Sequence, residues 1–294
     1  MRPYPFFNKI IHFQYNINNN MKNIISQSKK ENYLSFIKSN FNNLSQREIA
    51  RRLNLGKTTI NRWAGEVGLR FKRHTVNEDF FNEFNEQSSY ILGLISSDGN
   101  ISWNTKKGYY TITITASEKD KEHLENIRKI LSSTKPLIYS LKTKSYRLII
   151  NNKNICKRLM GLGITPRKSL TLKFPVIPKE QLRHFIRGVI DGDGHVRYVK
   201  RKKSSYFEIT ISSGSKIFCE GFIKSIKDCI GINTNLRKIG ENTYIIQYSC
   251  SRGEKLAEFI YSNANTFLGR KYLPYKNNIL EDEKNGKRKT SINK

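Results

Sequence analysis

The sequence predicts an α+β protein in which a small all-α domain precedes two copies of one α/β repeat. Residues 44–69 carry two short helical patterns of apolar side chains around a break at residues 54–56. The chain from about residue 86 onwards superposes on itself when it is shifted by 95 residues, as Asp98 and Asp193 illustrate. Each copy contains stretches that alternate apolar and polar residues, which is typical of half-buried strands.

The charge balance points to a polyanionic partner. The 294 residues include 53 Lys and Arg against 24 Asp and Glu, a formal net charge of +29. The positive charges repel one another unless phosphates or counterions neutralise them, so nucleic acid is the expected partner. The four cysteines form neither a metal-binding pattern nor a disulfide framework. The sequence has no long apolar run or secretory signal, so we expect an intracellular protein that stays with DNA, in bacterial or phage cytoplasm or an organelle matrix, and no membrane partner.

The stretch LSQREIARRLNLGKTTINRWAGEVGL, residues 44–69, resembles the helix-turn-helix motif. Small Ala50 would lie where the two helices meet, Asn54 can take the left-handed turn conformation, and Ile60 and Trp63 would anchor the second helix. The alternative is a plain helical hairpin with a solvated basic face. If the motif reads DNA, its second helix offers the following side chains to a groove: Lys57, Thr58, Thr59, Asn61 and Arg62.

The repeat predicts the order helix, two strands, helix, two strands, helix in each copy, αββαββα. The middle helices should begin near Lys121 and Lys216. The strand patterns are TITITAS (111–117) and FEITIS (207–212), and residues 136–151 and 233–249 each look like a hairpin.

The stretches ILGLISSDG (91–99) and IRGVIDGDG (186–194) open the two copies. Gly93 and Ser97 lie four residues apart in the first, as Gly188 and Gly192 do in the second, so small residues share one helix face. Faces without bulk allow two helices to approach closely, and two copies of one repeat naturally pack about a pseudo-two-fold axis. The helix ends would then bring Asp98 and Asp193 side by side.

Two adjacent carboxylates repel each other unless a cation lies between or beside them. Oxygen ligands shared with phosphates suit Mg²⁺, which usually takes only one or two protein carboxylates. The chemistry that this arrangement favours is metal-assisted hydrolysis of a phosphodiester.

These paired stretches resemble the signature motifs of the LAGLIDADG homing endonucleases in their single-chain, two-motif form. The resemblance covers about 200 residues, from near Ser88 to Lys276. It implies a saddle of two αββαββα halves, with antiparallel sheets facing DNA and Asp98 and Asp193 as catalytic metal ligands for Mg²⁺. Ser96 stands where the second motif has Asp191, a departure that weakens the consensus at an acid position that does not bind the metal.

Four further side chains have family counterparts near the reaction. Lys168 and Lys271, in PRKS and GRKY, resemble basic residues that assist the catalytic water; phosphate contact and solvated loop lysines are the alternatives. Ser117 and Ser212, at strand ends, resemble polar residues that order a water network, and strand-end caps would explain them as well.

Polar side chains on the strands should face away from the core and towards DNA. Contact with phosphate or with base edges is expected for the strand and loop residues Thr111, Thr113, Thr115, Arg147, Arg197, Lys200, Arg201 and Thr210.

We therefore predict six segments. They are a poorly ordered basic and Asn-rich segment (1–29), a helix-turn-helix domain (30–72), a linker (73–85), two repeats (86–178 and 179–278) and a basic tail (279–294). The predicted function is that of a monomeric, site-specific, double-strand DNA endonuclease that mobilises an intron or intervening element. An intron RNA maturase and a non-cutting transcriptional regulator on the same scaffold are the alternatives, and the pair of acids argues against the regulator.

Overall fold

The computed structural model describes residues 27–71, 74–104, 106, 108–200 and 205–284, without the side chains of Lys200 and 279–284. Contacts divide the chain into two compact units, Met1–Arg73 and His74–Lys294. Most of the segment predicted to be poorly ordered lies outside the described residues, as does most of the predicted basic tail. No helix in the described part of the chain is long and apolar enough to cross a membrane.

The described residues of the first unit, 27–71, form three helices, α1 (Gln27–Asn40), α2 (Gln46–Arg52) and α3 (Lys57–Glu66). Their shared core consists of Ile37, Ile49, Ala50, Ile60, Trp63 and Ala64. Ser45 caps α2 by accepting a hydrogen bond from the Glu48 amide at 3.2 Å. Asn54, between α2 and α3, has a φ of 51°, the left-handed conformation that the sequence predicts there. The DNA-binding role of this unit stays a prediction.

In its described residues, the second unit contains two copies of αββαββα followed by one more helix, which confirms the predicted fold class. The first copy consists of α4 (Glu86–Ser97), β1 (Gly99–Asn104), β2 (Tyr109–Ser117), α5 (Lys121–Ile130), β3 (Ile138–Ser140), β4 (Ser145–Ile150) and α6 (Lys153–Gly161). The second consists of α7 (Leu182–Asp193), β5 (Gly194–Lys200), β6 (Ser205–Ser213), α8 (Lys216–Ile230), β7 (Leu236–Gly240), β8 (Thr243–Ser249) and α9 (Ser251–Tyr261), with α10 (Gly269–Lys284) after it.

Each copy forms a four-stranded antiparallel sheet, in the orders β1-β2-β4-β3 and β5-β6-β8-β7. Alternate residues of a strand point to opposite faces of the sheet. In β2, Ile112 and Ile114 are at most 1% exposed and enter the core, whereas the next residue, Thr115, points to the opposite face and is exposed. One hydrophobic core unites both copies and the helices that follow them. We call the face of each sheet that points away from this core its polar face.

The helices α4 and α7 pack against each other through their glycines. A β-carbon at Gly93 would lie 2.1 Å from the Phe185 carbonyl oxygen, and one at Gly188 would lie 2.0 Å from that of Tyr90. Because only glycine leaves room for these backbone contacts, the predicted close approach of the two motif helices is confirmed.

Candidate active site

Asp98 and Asp193 lie at the C-terminal ends of the paired helices, where α4 leads into β1 and α7 into β5. Neither carboxylate has a hydrogen bond or an ion pair with another described residue. Both residues are exposed to solvent at one edge. Desolvation by the surrounding protein atoms, and then the negative charge of nearby Asp193, nevertheless raise the pKa of Asp98 to about 6. Burial also raises the pKa of Asp193. The structure therefore brings the two predicted acids into electrostatic contact.

This arrangement fits a divalent cation. Two solvent-accessible carboxylates without partners among the described residues are oxygen ligands whose mutual repulsion a cation would relieve. Among the described residues no cluster of three or more His, Cys, Asp or Glu side chains is suited to a metal ion. An ion at the Asp98–Asp193 pair would thus need water or phosphate oxygens to complete its shell, as Mg²⁺ accepts.

Lys168 and Lys271 hold the ends of the two motif helices. The Lys168 ammonium donates to the carbonyls of Ser97 at 3.2 Å and Gly99 at 2.7 Å. Lys271 donates to the carbonyls of Ile190 (2.9 Å), Asp191 (2.7 Å) and Gly192 (2.7 Å). The carbonyls of Ser97, Asp191 and Gly192 lie in the last turns of the two helices, where carbonyls lack intrahelical partners and positive charge is favoured. The predicted catalytic role of the lysines stays a prediction, and the structure adds this anchoring role.

Burial opposes the charge on both ammonium groups. It lowers the pKa of Lys271 to about 8, against the opposing attraction of nearby Asp191. Burial lowers the pKa of Lys168 as well, while Asp193 and Asp98 oppose that shift. The lysines therefore supply positive charge beside the acids without forming ion pairs with them.

Asp191, the additional acid of the second motif, is a structural residue of the interior. It is 2% exposed and accepts hydrogen bonds from the Tyr90 hydroxyl (2.8 Å), the Tyr261 hydroxyl (3.1 Å) and the Leu268 amide (2.7 Å). Its counterpart Ser96 is also buried and donates to the Leu92 carbonyl at 2.8 Å. Either residue can occupy this position because local hydrogen bonds satisfy it.

Asp98 and Asp193 each line a cleft, and the two clefts differ in volume and in the charged side chains that line them. The Asp193 cleft, about 200 Å³, is lined by Lys168 and by Ser212, a predicted water-ordering residue. The Asp98 cleft, about 270 Å³, is lined by Ser117, Asp120, His123 and Arg270 as well.

Sequence reasoning missed the charged group beside Asp98. Arg270, from the second repeat, forms an ion pair with Asp120 of the first at 3.0 Å. Ser117 donates to the same carboxylate at 3.0 Å, so its hydroxyl is already engaged. Burial opposes ionisation of Asp120, yet the bonds from Arg270 and Ser117 outweigh it and hold its pKa below the usual range. The only sequence signal was the position of Arg270 next to Lys271.

The polar faces carry most of the predicted DNA-contacting strand residues. Thr115 and Arg147 face each other across β2 and β4 and are both exposed, while Thr113 and Thr210 are half-buried. Thr111 is a correction. It is 2% exposed and its hydroxyl oxygen accepts from the Asn151 amide at 2.9 Å, so it is not available to DNA.

The remaining predicted contacts are divided between exposed and undescribed positions. Arg197 is exposed on β5 and pairs with Glu208. The Lys200 side chain and Arg201 lie outside the described residues. In the first unit, Lys57, Thr58, Asn61 and Arg62 are exposed and Thr59 is half-buried.

The raised carboxylate pKa values predict a pH dependence of stability. Between about pH 4 and pH 6 the folded protein binds more protons at Asp98 than the unfolded chain does, so stability should fall as the pH rises through this window. Without divalent metal, Asp98→Asn should therefore stabilise the protein at pH 8 by about 1 kcal/mol, a value reduced for solvent screening.

Thermal unfolding in EDTA at pH 4 and pH 8 measures this difference. The gain from Asp98→Asn should be present at pH 8 and absent at pH 4. An equal gain at both pH values would show that ionisation of Asp98 is not its cause.

A family model described as a LAGLIDADG-like domain matches residues 85–160 and again residues 180–262. Among solved structures, the LAGLIDADG meganuclease I-AabMI bound to uncleaved DNA is 16% identical, with 69% of this chain and 92% of that chain covered and a TM-score of 0.49. The I-LtrWI LAGLIDADG homing endonuclease bound to target DNA is 14% identical (68% and 91% covered, TM-score 0.46). The I-GzeII homing endonuclease in complex with its DNA target is 12% identical (71% and 94% covered, TM-score 0.47). The curated protein sequences gave no match.

Proposed function

The chain belongs to the LAGLIDADG-like domain family, and from this premise we propose that it is a site-specific endonuclease that hydrolyses both strands of double-stranded DNA. The observation that carries the proposal is the pair of acids, Asp98 and Asp193, held together at the ends of two helices that pack backbone to backbone. A protein that only binds DNA gains nothing from two unpartnered carboxylates facing phosphate, because they repel it.

Asp98 and Asp193 would hold the divalent cation, which we propose is Mg²⁺. When bound, the ion would help water to attack the phosphodiester and would offset charge on the leaving oxygen. Lys168 and Lys271 would keep the acid-bearing helix ends in place and supply positive charge beside the scissile phosphate. Ser212, in the Asp193 cleft, would bind water at the edge of the site, and Ser117, which donates to Asp120, would accept a hydrogen bond from water in the Asp98 cleft.

The polar faces of the two sheets would bind the DNA, with one repeat on each half of the target. The residues that would contact DNA are Thr113, Thr115 and Arg147 on the first sheet and Arg197 and Thr210 on the second. Lys200 and Arg201 would extend this set. The net charge of +29 supplies the attraction to phosphate, so affinity should depend strongly on salt. As a single chain with internal pseudo-two-fold symmetry, the protein would act as a monomer and mobilise an intron or intervening element.

The experiment that tests this function compares two substrates. The purified chain is incubated with Mg²⁺ and DNA of the locus without the intervening element, and separately with the RNA of that element. Cleavage of both DNA strands supports the endonuclease. Tight binding of the RNA without any cut in the DNA supports the maturase instead.

We further propose that α3 of the first unit contacts DNA outside the cleaved site. Its exposed residues Lys57 and Arg62 would then contact phosphates or bases. A second binding module on the same chain raises affinity through effective concentration.

The paired substitution Lys57→Ala and Arg62→Ala should therefore lower target affinity by roughly tenfold and shorten the nuclease footprint at one end, with the cleavage rate at saturation unchanged. Footprinting of the full chain measures this. An unchanged footprint and affinity would remove the DNA-binding role of the first unit.

A further inference from the structure

The polar face of the second sheet carries a row of hydrogen-bonded side chains that crosses all four strands. Arg197 on β5 donates through Nε to Glu208 Oε1 on β6 at 2.7 Å. Gln247 on β8 donates to Glu208 Oε2 at 2.7 Å, and Arg237 on β7 donates to Gln247 Oε1 at 2.9 Å. The row therefore runs Arg237, Gln247, Glu208, Arg197 and spans the sheet from edge to edge.

Glu208 holds this row together. It is only 8% exposed, and each of its carboxylate oxygens is occupied by a neighbour. Arg197 makes a second contact with it, from Nη2 at 2.6 Å, while its own side chain stays 53% exposed. An almost buried carboxylate thus fixes an arginine whose outer edge faces solvent.

A carboxylate on a surface that receives DNA carries an electrostatic cost, because it repels phosphate. In a chain with only 24 Asp and Glu, an acid at the centre of this face calls for a role that offsets that cost. Orienting a flexible side chain is such a role, since an arginine that is fixed before binding loses less conformational entropy when the complex forms.

The contacts leave Arg197 with a defined set of free donors. Glu208 occupies Nε and one side of Nη2, so Nη1 and the other side of Nη2 remain. Two parallel N–H groups of this kind match the O6 and N7 acceptors that guanine presents in the major groove. Asn or Gln would suit adenine better, and a lysine could not form this fork.

We propose that Glu208 is a positioning residue that orients Arg197 to recognise a guanine in the half of the target bound by the second sheet. Gln247 and Arg237 complete the row and hold Glu208 from the opposite side. This inference rests on the proposed DNA-binding function, and it adds the identity of one recognised base and the residues that select it.

The first sheet provides a natural control because it lacks this row. The repeat places Thr113 where the second copy has Glu208. Arg147 faces Thr115 across the strands, as Gln247 faces Thr210 in the second sheet. Arg147 is exposed and has no carboxylate partner in the described part of the chain. An unfixed arginine of this kind should contribute mainly to phosphate attraction.

The experiment selects bound sequences from double-stranded oligonucleotides randomised across the target, with Ca²⁺ in place of Mg²⁺ so that no cleavage is needed. The full-length protein is compared with Arg197→Ala, Glu208→Gln and Arg147→Ala. The wild type should select a guanine at one position in one half-site. Arg197→Ala should reduce preference for that guanine by roughly 5- to 150-fold, the range for a bidentate contact.

Glu208→Gln gives the sharpest readout. Arg197 and Gln247 donate to different oxygens of Glu208, and in the glutamine an NH₂ group replaces one of these acceptors. The row therefore loses an acceptor, and the neutral amide oxygen that remains holds an arginine less firmly than a carboxylate does. Preference for the guanine should fall at least about fivefold. Affinity for random DNA should rise at low salt, because a negative charge has been removed from the binding face. A purely structural role of Glu208 would lower both quantities.

Arg147→Ala should weaken binding to all sequences alike and leave the base preferences as they are. The inference is overturned if Glu208→Gln, folded as judged by thermal unfolding, retains the full guanine preference, or if no position of the selected site responds to Arg197→Ala. Failure of the proposed DNA binding would look different, because the wild-type protein would then select no double-stranded sequence. Failure of cleavage alone would leave the selected sequence unchanged.

Discussion

Asp98→Asn and Asp193→Asn should each abolish double-strand cleavage while the protein still binds its target. Each substitution removes one of the two oxygen ligands that the chain offers to the cation, and the only other carboxylates lining the two clefts in the described part of the chain, Asp120 and Asp191, are engaged by hydrogen bonds. The cleavage rate should fall by about a thousandfold or more, on the scale of losing a group that stabilises developing charge. Single-turnover cleavage with both strands resolved on a denaturing gel measures this loss.

Asp228→Asn is the matched control. Asp228 is an exposed acid of α8, and its substitution changes the net charge by the same amount without touching the site. In Ca²⁺, the two site variants should bind target DNA as tightly as the wild type or more tightly, because removing a carboxylate reduces repulsion of phosphate. Undiminished cutting by either site variant would remove Asp98 and Asp193 from the active site.

Gly188→Ala should destabilise the unit that holds the repeats more than most single substitutions would. The added methyl group would lie 2.0 Å from the Tyr90 carbonyl oxygen, and backbone on both helices leaves it no flexible neighbour to displace. The helices must separate, at a cost of about 3 kcal/mol, which lowers the unfolding temperature by roughly 10 °C. Since the acids lie at the ends of these helices, cleavage should fall as well.

Gly161→Ala serves as the comparison. Gly161 ends α6, and a β-carbon there has nothing within 4 Å. This substitution should be neutral or slightly stabilising, because alanine favours helix over glycine. Equal unfolding temperatures for Gly188→Ala and the wild type would contradict the close packing of α4 on α7.

The fold could be predicted from the sequence because its main signals are local or repeated. The 95-residue shift identified corresponding elements, and the helices near Lys121 and Lys216 begin at those residues. Gly93 and Gly188 were recognisable because a small residue in an apolar helix requires a steric reason, and a partner helix provides one. Asp98 and Asp193 followed from the same symmetry.

The contacts that complete the site could not be predicted in this way, since they join residues far apart in sequence. Arg270 reaches Asp120 across 150 positions, and Lys271 reaches helix carbonyls about 80 positions away. Neither is encoded by a local pattern. Thr111 shows a further limit: alternation placed it correctly on the polar face, but only the structure reveals that Asn151 engages its hydroxyl and that it is buried. The row centred on Glu208 likewise depends on strand register, which the sequence leaves open.

We propose that Asp98 and Asp193 together form one divalent-cation site on which cleavage depends. The most direct test titrates Mn²⁺ into the complex of the protein with uncleaved target DNA. Electron paramagnetic resonance measures the free ion and so gives the amount of Mn²⁺ that is bound. If the two acids form this site, the wild-type complex binds Mn²⁺, and Asp98→Asn and Asp193→Asn each lose bound ion relative to Asp228→Asn. Identical Mn²⁺ binding by all four proteins would contradict it.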